Sequence, residues 1–405
     1  MSITKTLPRS FVALLAVIVV ALQATASDFD PAKLSEVRGK MQKYVDEGVV
    51  SGLVAVIGNS KGVALEEAIG QTSLEKQQAM PKDALFRIAS MTKPITAIGI
   101  MILQEEGKLN VEDPVEKYLP EFKGQMLLAG KEKDAITLKK PSRPITLRDL
   151  LTHTSGLSAF PPGLADIYFK RNYTLAEATA VMSQRPLDFE PGSKWAYCNP
   201  GIDTLGRIIE AVSGQPYEKF LAQRIFEPLG MRDTTPYPDE KQLTRLATLY
   251  GMKDGKLNDV GFQLIGPVAD AKHPIPAGGL YSTGADLAKL YQMMLNKGQQ
   301  SGKRILSEES VATMTKLQTK DLPTGFVNGM GFGFGWAVVR QTEGVTAMMS
   351  PGTYGHGGAF GTQAWVDPQQ DLFVVLLIQR TGLANADGSD LRRDLQQAAV
   401  SALRK

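Results

Sequence analysis

Phe86-Arg-Ile-Ala-Ser-Met-Thr-Lys-Pro94 places Ser90 and Lys93 three residues apart at the head of an apolar run. From Met91 onward, Met91, Ile95, Ile98 and Ile102 recur at intervals of three or four, the spacing of one buried helix face. Gly107 ends the pattern, so a helix is expected from Ser90 to about Glu106. Pro94 falls in its first turn, where a missing N–H costs little. At that spacing the serine and the lysine share a face. A lysine that is desolvated and close to a helix N-terminus gives up its proton more readily, and such an amine can take the proton of a serine hydroxyl. The same spacing also arises by chance: Ser73-Leu-Glu-Lys76 repeats it in a polar stretch with no buried helix behind it. The pair at 90 and 93 therefore needs partners elsewhere in the chain.

Upstream, Asp30 to Glu47 reads as an amphipathic helix carrying Leu34, Val37, Met41, Tyr44 and Val45. Leu53–Ile57 and Val63–Ile69 read as strands joined by Gly58-Asn-Ser-Lys-Gly62. That turn matches G-x-S-x-G, whose chemistry requires a strand, a strained turn and then a helix. Strand follows Gly62 here, so the turn closes a hairpin and Ser60 is no nucleophile. Earlier still, Lys5 and Arg9, the apolar run Phe11–Leu22 and Ala24-Thr-Ala26 form the three parts of an export signal over residues 1–26. The run is short for a membrane span, so cleavage and a periplasmic or secreted mature protein without a membrane anchor are expected. Losing Lys5 and Arg9 takes the formal charge from +3 to +1, which gives no reason to expect a nucleic acid partner. Cys198 is the single cysteine, so apolar burial rather than a disulfide framework must stabilise the chain, as one large domain or two interleaved ones.

Downstream, Gly107 to Pro267 reads mostly as helices broken by loops. They include a short helix within Thr146-Leu-Arg-Asp-Leu-Leu-Thr-His-Thr-Ser-Gly-Leu157 and longer ones over Asn199–Val212 and Tyr217–Phe226, while Gly124–Pro144 reads as an exposed basic excursion. Beyond about residue 270 a helix carries Leu287, Leu290, Tyr291 and Met294, and strand-like runs follow at Gly333–Arg340, Tyr354–Gly358, Gln363–Asp367 and Leu372–Gln379. A last helix covers Asp390–Leu403. Strands at both ends with helices between predict an α+β fold. An antiparallel sheet flanked by helices is built from N- and C-terminal parts, about 30–106 and 270–405, with a mostly helical inserted domain over about 107–269. Ser90 falls at the seam, where clefts commonly form.

Two stretches offer the partners. Phe189-Glu-Pro-Gly-Ser-Lys-Trp-Ala-Tyr-Cys-Asn-Pro-Gly201 sets Tyr197 and Asn199 two apart between helices. A nearby ammonium lowers a phenol pKa, which would make Tyr197 a base for Ser90 and then an acid for the leaving group. Asn199 has a donor and an acceptor with which to orient Lys93 and a substrate carbonyl. In Tyr354-Gly-His-Gly-Gly-Ala-Phe-Gly-Thr362 the glycines, Gly358 among them, let a ligand or another backbone come close. The N–H groups near Ala359 and of Ser90 are candidates for an oxyanion hole, and His356 for a donor to substrate or a support for a tyrosinate. Three histidines without ligand-like spacing, and no phosphate or dinucleotide loop, give no case for a metal or any other cofactor.

Taken together, Ser90-Met-Thr-Lys93, Leu150-Leu-Thr-His-Thr-Ser-Gly-Leu157, Tyr197-Cys-Asn199 and His356-Gly-Gly358, in this order, resemble the serine β-lactamase-related superfamily. That superfamily includes class C β-lactamases, D,D-carboxypeptidases and family VIII carboxylesterases. The resemblance spans roughly residues 35 to 400 and implies a β-lactamase/transpeptidase-like fold, with Ser90 as acylated nucleophile and Lys93 and Tyr197 sharing proton transfer. Asn199 and the His356 strand would line the cleft. Where the lactamase pattern has Lys-Thr-Gly or Lys-Ser-Gly, this chain has His356-Gly357-Gly358, with neither a permanent cation nor a hydroxyl. That departure favours neutral esters over penicillins or peptide carboxylates. Cys198, where serine or alanine is usual, reads as a small buried residue, and His153 as a residue that bonds backbone.

The expected activity is therefore hydrolysis of a small carboxylic ester or amide through a Ser90 acyl-enzyme. The alternative is a β-lactamase or D,D-carboxypeptidase in which Arg340 or Arg380 replaces the missing lysine. A transacylase would carry the same motifs, and a catalytically silent relative would lack the reason to keep Ser90, Lys93 and Tyr197 together. The sequence carries no signal for oligomeric state.

Overall fold

The computed structural model describes residues 28–133, 135–261, 266–267, 269–383 and 386–404; the export signal expected over 1–26 lies outside them. Helix α1 (Pro31–Asp46) is started by the Asp30 side chain, which accepts from the Ala32 N–H, with Pro31 in the first turn. Strands β1 (Gly52–Asn59) and β2 (Gly62–Ser73) form the expected hairpin, and the short β3 (Gln78–Ala79) pairs beyond β2. In the hairpin turn Ser60 Oγ donates to Asp371 at 2.7 Å, a structural role. Helix α2 (Thr92–Glu105) follows. The insert contains α3 (Leu147–Leu151), α4 (Leu175–Ser183), α5 (Asn199–Ser213) and α6 (Tyr217–Leu221). The chain returns through α7 (Gly284–Leu295), β4 (Met330–Phe332), β5 (Ala337–Val339), β6 (Tyr354–Gly357), β7 (Gln363–Asp367), β8 (Leu372–Leu377) and α8 (Asp390–Ala402).

The eight strands make one antiparallel sheet in the order β4-β5-β6-β7-β8-β1-β2-β3. The two ends of the chain meet at its centre, with Val54 opposite Leu377 and Val56 opposite Val375. Alternation along those strands divides the apolar side chains between two cores. Val54, Val56, Phe373, Val375 and Leu377 face α2 and α7, whereas Leu53, Ala55, Ile57, Leu372, Val374 and Leu376 face α1 and α8. Both faces of the centre are covered, which is why β1 and β8 read as unbroken apolar runs.

Three features differ from the sequence reading. Helix α2 is buried all round from Thr92 to Leu103, not along one stripe, because α5 and the segment at 275–280 wrap the sides its threonines and glycine leave narrow. At Gly99 a Cβ would lie 2.8 Å from an Ile209 methyl, and on α5 a Cβ at Gly206 would lie 2.2 Å from Pro276 Cγ. The insert also carries two hairpins, Leu127–Lys131 with Ile136–Lys139 and Tyr250–Lys253 with Lys256–Asp259. The first of these occupies the basic excursion. The strand expected from Gly333 begins at Ala337, since Gly333 donates to the Trp336 carbonyl and closes a turn. Among the described residues, no helix is long and apolar enough to cross a membrane.

Two glycines test this packing in opposite directions. Gly39, exposed within α1 with nothing near its Cβ position, should gain roughly 0.5–1 kcal/mol of stability on conversion to alanine. Gly206→Ala should lose about 1–3 kcal/mol by overpacking. Thermal denaturation of the two single variants reads both.

Candidate active site

Ser90 follows a sharp bend. Ala89 has φ +46°, a left-handed conformation costly for a residue with a side chain, and a 3-10 turn over Ala89–Met91 precedes α2. The α-helix thus begins at Thr92, two residues later than its sequence suggests. This geometry leaves Ser90 partly exposed while Lys93 is fully buried. Lys93 Nζ lies 2.9 Å from Ser90 Oγ and donates to the Ala277 carbonyl at 2.6 Å. Burial dominates the lysine's chemistry: it brings the pKa down to about 7, against Asp203 and Cys198, which pull it up. Near neutral pH a large share of Lys93 is therefore free amine, able to accept the Ser90 O–H along the same path.

Tyr197 and Asn199 flank Cys198, the residue that caps α5. Lys93 Nζ sits 4.7 Å from the centroid of the Tyr197 ring, and the Ser90 side chain is close enough to act on the phenol. The lowered phenol pKa expected from a neighbouring ammonium is not found. Burial pushes the phenol up and outweighs the opposing effect of Ser90, so Tyr197 keeps its proton at neutral pH. Asn199 does not orient Lys93 either. The Ala277 carbonyl holds the lysine, and the buried Asn199 Oδ1 has no partner among the described residues.

His153 bonds backbone, and it does so on both sides of Tyr197. Its carbonyl accepts the Ala196 N–H at 2.9 Å, its Nδ1 accepts the Cys198 N–H at 3.2 Å, and its ring packs 4.6 Å from the Tyr197 ring. Its own φ is +60°, and burial drives its pKa well down, keeping it neutral. Cys198 is the buried small residue expected: Sγ donates to the Leu157 carbonyl at 3.3 Å, and burial pushes the thiol up to about 12.

The wall opposite is β6 and the loop after it. Gly358 packs against the Ser90 turn so tightly that a Cβ would lie 2.5 Å from the Ile88 carbonyl and 3.3 Å from Ala89 Cβ. Ala359 and Ser90, the next residues in each segment, are therefore neighbours. The Ala359 N–H has no acceptor among the described residues, and Ser90 lies in the opening turn of its 3-10 helix, where N–H groups lack internal partners. His356 departs from expectation. Its Nδ1 donates to the Gly357 carbonyl at 2.7 Å, which leaves Nε2 as a bare acceptor, buried and without a partner. Burial first and Lys93 second hold its pKa at about 4. It is thus a neutral ring that neither donates from Nε2 nor supplies charge to a tyrosinate.

Neither arginine considered as a substitute cation is turned toward this wall. Arg340 donates to the Lys320 carbonyl at 3.1 Å, and Arg380 to the Val49 and Thr381 carbonyls. A third, Arg392, is buried 3.8 Å from the ring of Trp365 and donates to the Asp387 carbonyl; with Trp365, His356 and Phe326 it lines one small cavity beside this wall. The remaining lining is aromatic: Phe326 and Trp195 have ring centroids 5.1 and 6.2 Å from that of Tyr197, and Phe326 is 52% exposed at the rim. Among the described residues, no cluster of His, Cys, Asp or Glu is arranged to hold a metal ion.

The sequence reading missed the Ala277 carbonyl, Asp203 and the double grip of His153. Asp203 had a signal, an acid on an otherwise apolar helix face with Ile202 and Leu205, whereas a backbone carbonyl has none beyond the glycine pair that follows it.

The family model described as Beta-lactamase matches residues 37–399. A protein of Mycobacterium tuberculosis, "Protein Rv1367c", is 31% identical over 361 residues, covering 84% of this chain and 89% of its own. A Salmonella agona relative named "Putative D-alanyl-D-alanine carboxypeptidase" is 29% identical over 383 residues, 87% of this chain and 84% of its own. Among solved structures, "EstCE1, a hydrolase with promiscuous acyltransferase activity" superposes with a TM-score of 0.75 at 26% identity, over 91% of this chain and 99% of that one. With this match over most of its length and a large antiparallel sheet arranged as in these neighbours, the chain belongs to the Beta-lactamase family of serine hydrolases.

Proposed function

We propose that the protein is an exported hydrolase of carboxylic esters that works through an acyl-enzyme on Ser90. The observation that carries the ester preference is the neutral His356 strand, which presents no cation or hydroxyl to a substrate carboxylate. Lys93, as free amine, takes the Ser90 proton while Oγ attacks the ester carbonyl. The oxygen's new negative charge falls to the N–H groups of Ser90 and Ala359. Tyr197, still a phenol, gives its proton to the departing alkoxide and is reprotonated from Lys93. Water then repeats the sequence on the acyl-enzyme and releases the acid. Export rests on the charged, apolar and small-residue segments of residues 1–26. The carboxypeptidase name of the Salmonella relative supports the alternative substrate, a peptide with a free carboxylate, and the acyltransferase activity named for EstCE1 supports an alcohol in place of water.

Hydrolysis of p-nitrophenyl butyrate and of nitrocefin should be compared in the wild type and Ser90→Ala. Ester turnover that disappears in the variant, with nitrocefin nearly untouched, is the expected result; strong nitrocefin cleavage would overturn the ester preference, and unchanged ester turnover would remove Ser90 from its role. For the wild type, kcat/KM for the ester should fall about tenfold per pH unit below pH about 7, because protonated Lys93 cannot accept from Ser90, and level off above it. Tyr197→Phe should slow ethyl butyrate, whose alkoxide needs a proton, by about 10²-fold or more while sparing p-nitrophenyl butyrate. His153→Ala, which takes the acceptor from the Cys198 N–H and the packed ring from Tyr197, should shift the ratio of the two esters in the same direction, measured alongside a melting curve.

A further inference from the structure

One buried acid lies behind this site without a role in the steps above. Asp203 is on α5, one turn beyond Asn199, and is fully buried. Its Oδ1 accepts the Ala277 N–H at 2.8 Å and its Oδ2 the Tyr168 O–H at 2.6 Å. The peptide that donates this N–H is held at its other edge too: Thr96 Oγ1, itself 2.6 Å from the Tyr217 hydroxyl, donates to the Pro276 carbonyl at 2.8 Å. The next carbonyl along the chain, that of Ala277, is the one that takes Lys93 Nζ. A side chain on α5 and one on α2 thus grip a single peptide, and that peptide aims the acceptor at the lysine.

Charge adds a second argument. Both hydrogen bonds to Asp203 come from neutral donors, and a buried carboxylate requires a balancing group. His273 Nε2 is 3.8 Å from Oδ2, and Lys93 stands one residue's width away on the far side of Ala277. Around Lys93 the ionisable neighbours are Ser90 on its own turn, Tyr197 and Cys198 at the head of α5, His153 after α3 and His356 on β6, with Asp203 the carboxylate that acts on it. Tyr168, His273 and Tyr217 face Asp203 from the other side.

We infer that Asp203 is a positioning residue for the reaction: through Ala277 it fixes the place of Lys93, and through its charge it sets the pH at which Lys93 becomes a base. Burial lowers the lysine's pKa, and the Asp203 carboxylate acts in the opposite direction. The inference rests on the proposed role of Lys93.

The test follows kcat/KM for p-nitrophenyl butyrate from about pH 5 to 9 in the wild type, Asp203→Asn, Thr96→Val and Lys93→Ala. Asp203→Asn should carry the acid limb about one pH unit lower and reduce the plateau. Thr96→Val, which loosens the same peptide without changing charge, should reduce the plateau and leave the limb in place. If Asp203→Asn does not fold, Asp203→Ser, with room for a water on the Ala277 N–H, is read in its stead. An acid limb that survives in the residual activity of Lys93→Ala would remove the base assignment itself. A limb that belongs to Lys93 yet stays put, or moves up, in the Asp203 variant would overturn this inference alone.

Discussion

Taking the Lys93 amine out of water is the constraint on which the rest of the molecule depends. An isolated buried ammonium is costly, and this one is tolerable because it can release its proton and because a carbonyl and a serine oxygen stand within hydrogen-bond reach. Burial on every side of α2 requires more than an apolar stripe. The sheet covers one flank, α5 a second and the tight turn at Ile275–Gly279 a third, and the glycines at 99 and 206 allow that approach. The same enclosure that stabilises the fold therefore makes the amine reactive. Packing and chemistry at this helix have one cause.

Beside Ser90 the cleft is lined mostly by neutral groups, with Arg392 and Asp387 in the adjoining cavity that His356 and Trp365 line. His356 and His153 are neutral rings, Tyr197 is a phenol, Asn199 offers an unpaired oxygen, and Trp195, Phe326 and Phe332 supply aromatic faces. In such surroundings the backbone N–H groups beside Ser90, in the proposed reaction, would act on a developing oxyanion with little competition from solvent. Backbone strain sits next to the two reacting pieces, at Ala89 before the nucleophile and at His153 beside the tyrosine, where tight surrounding contacts hold it.

Much of this was legible in the sequence wherever a pattern repeats along the chain. The alternation and continuity of Leu53–Ile57 and Leu372–Gln379 gave strands within a residue or two of β1 and β8, and Asp30 marked the start of α1. Ser90, Lys93 and Tyr197 stood out because three uncommon chemistries recur in order, and the structure brings them into one cluster. What escaped was set by tertiary contacts. No local signal reports that α2 is enclosed all round, that a backbone carbonyl holds Lys93, or that His356 spends its one N–H on its own neighbour's carbonyl. The phenol was misjudged because proximity to a lysine was weighed without the burial that acts on both groups.

The pairing of β1 with β8 has a consequence for how the molecule comes into being. Residues near 55 and near 375 must find each other before the sheet has a centre, and Gly358 must reach the turn at Ala89 before the catalytic wall exists. These are contacts between distant parts of the chain, which make folding slow relative to proteins built from local contacts. A nascent chain not yet extended past residue 371 has neither β8 nor α8, and the apolar edges of β1 and β7 stand open. The surroundings of Lys93 are thus complete only once the segment carrying β8 and α8 has been made and has paired with β1.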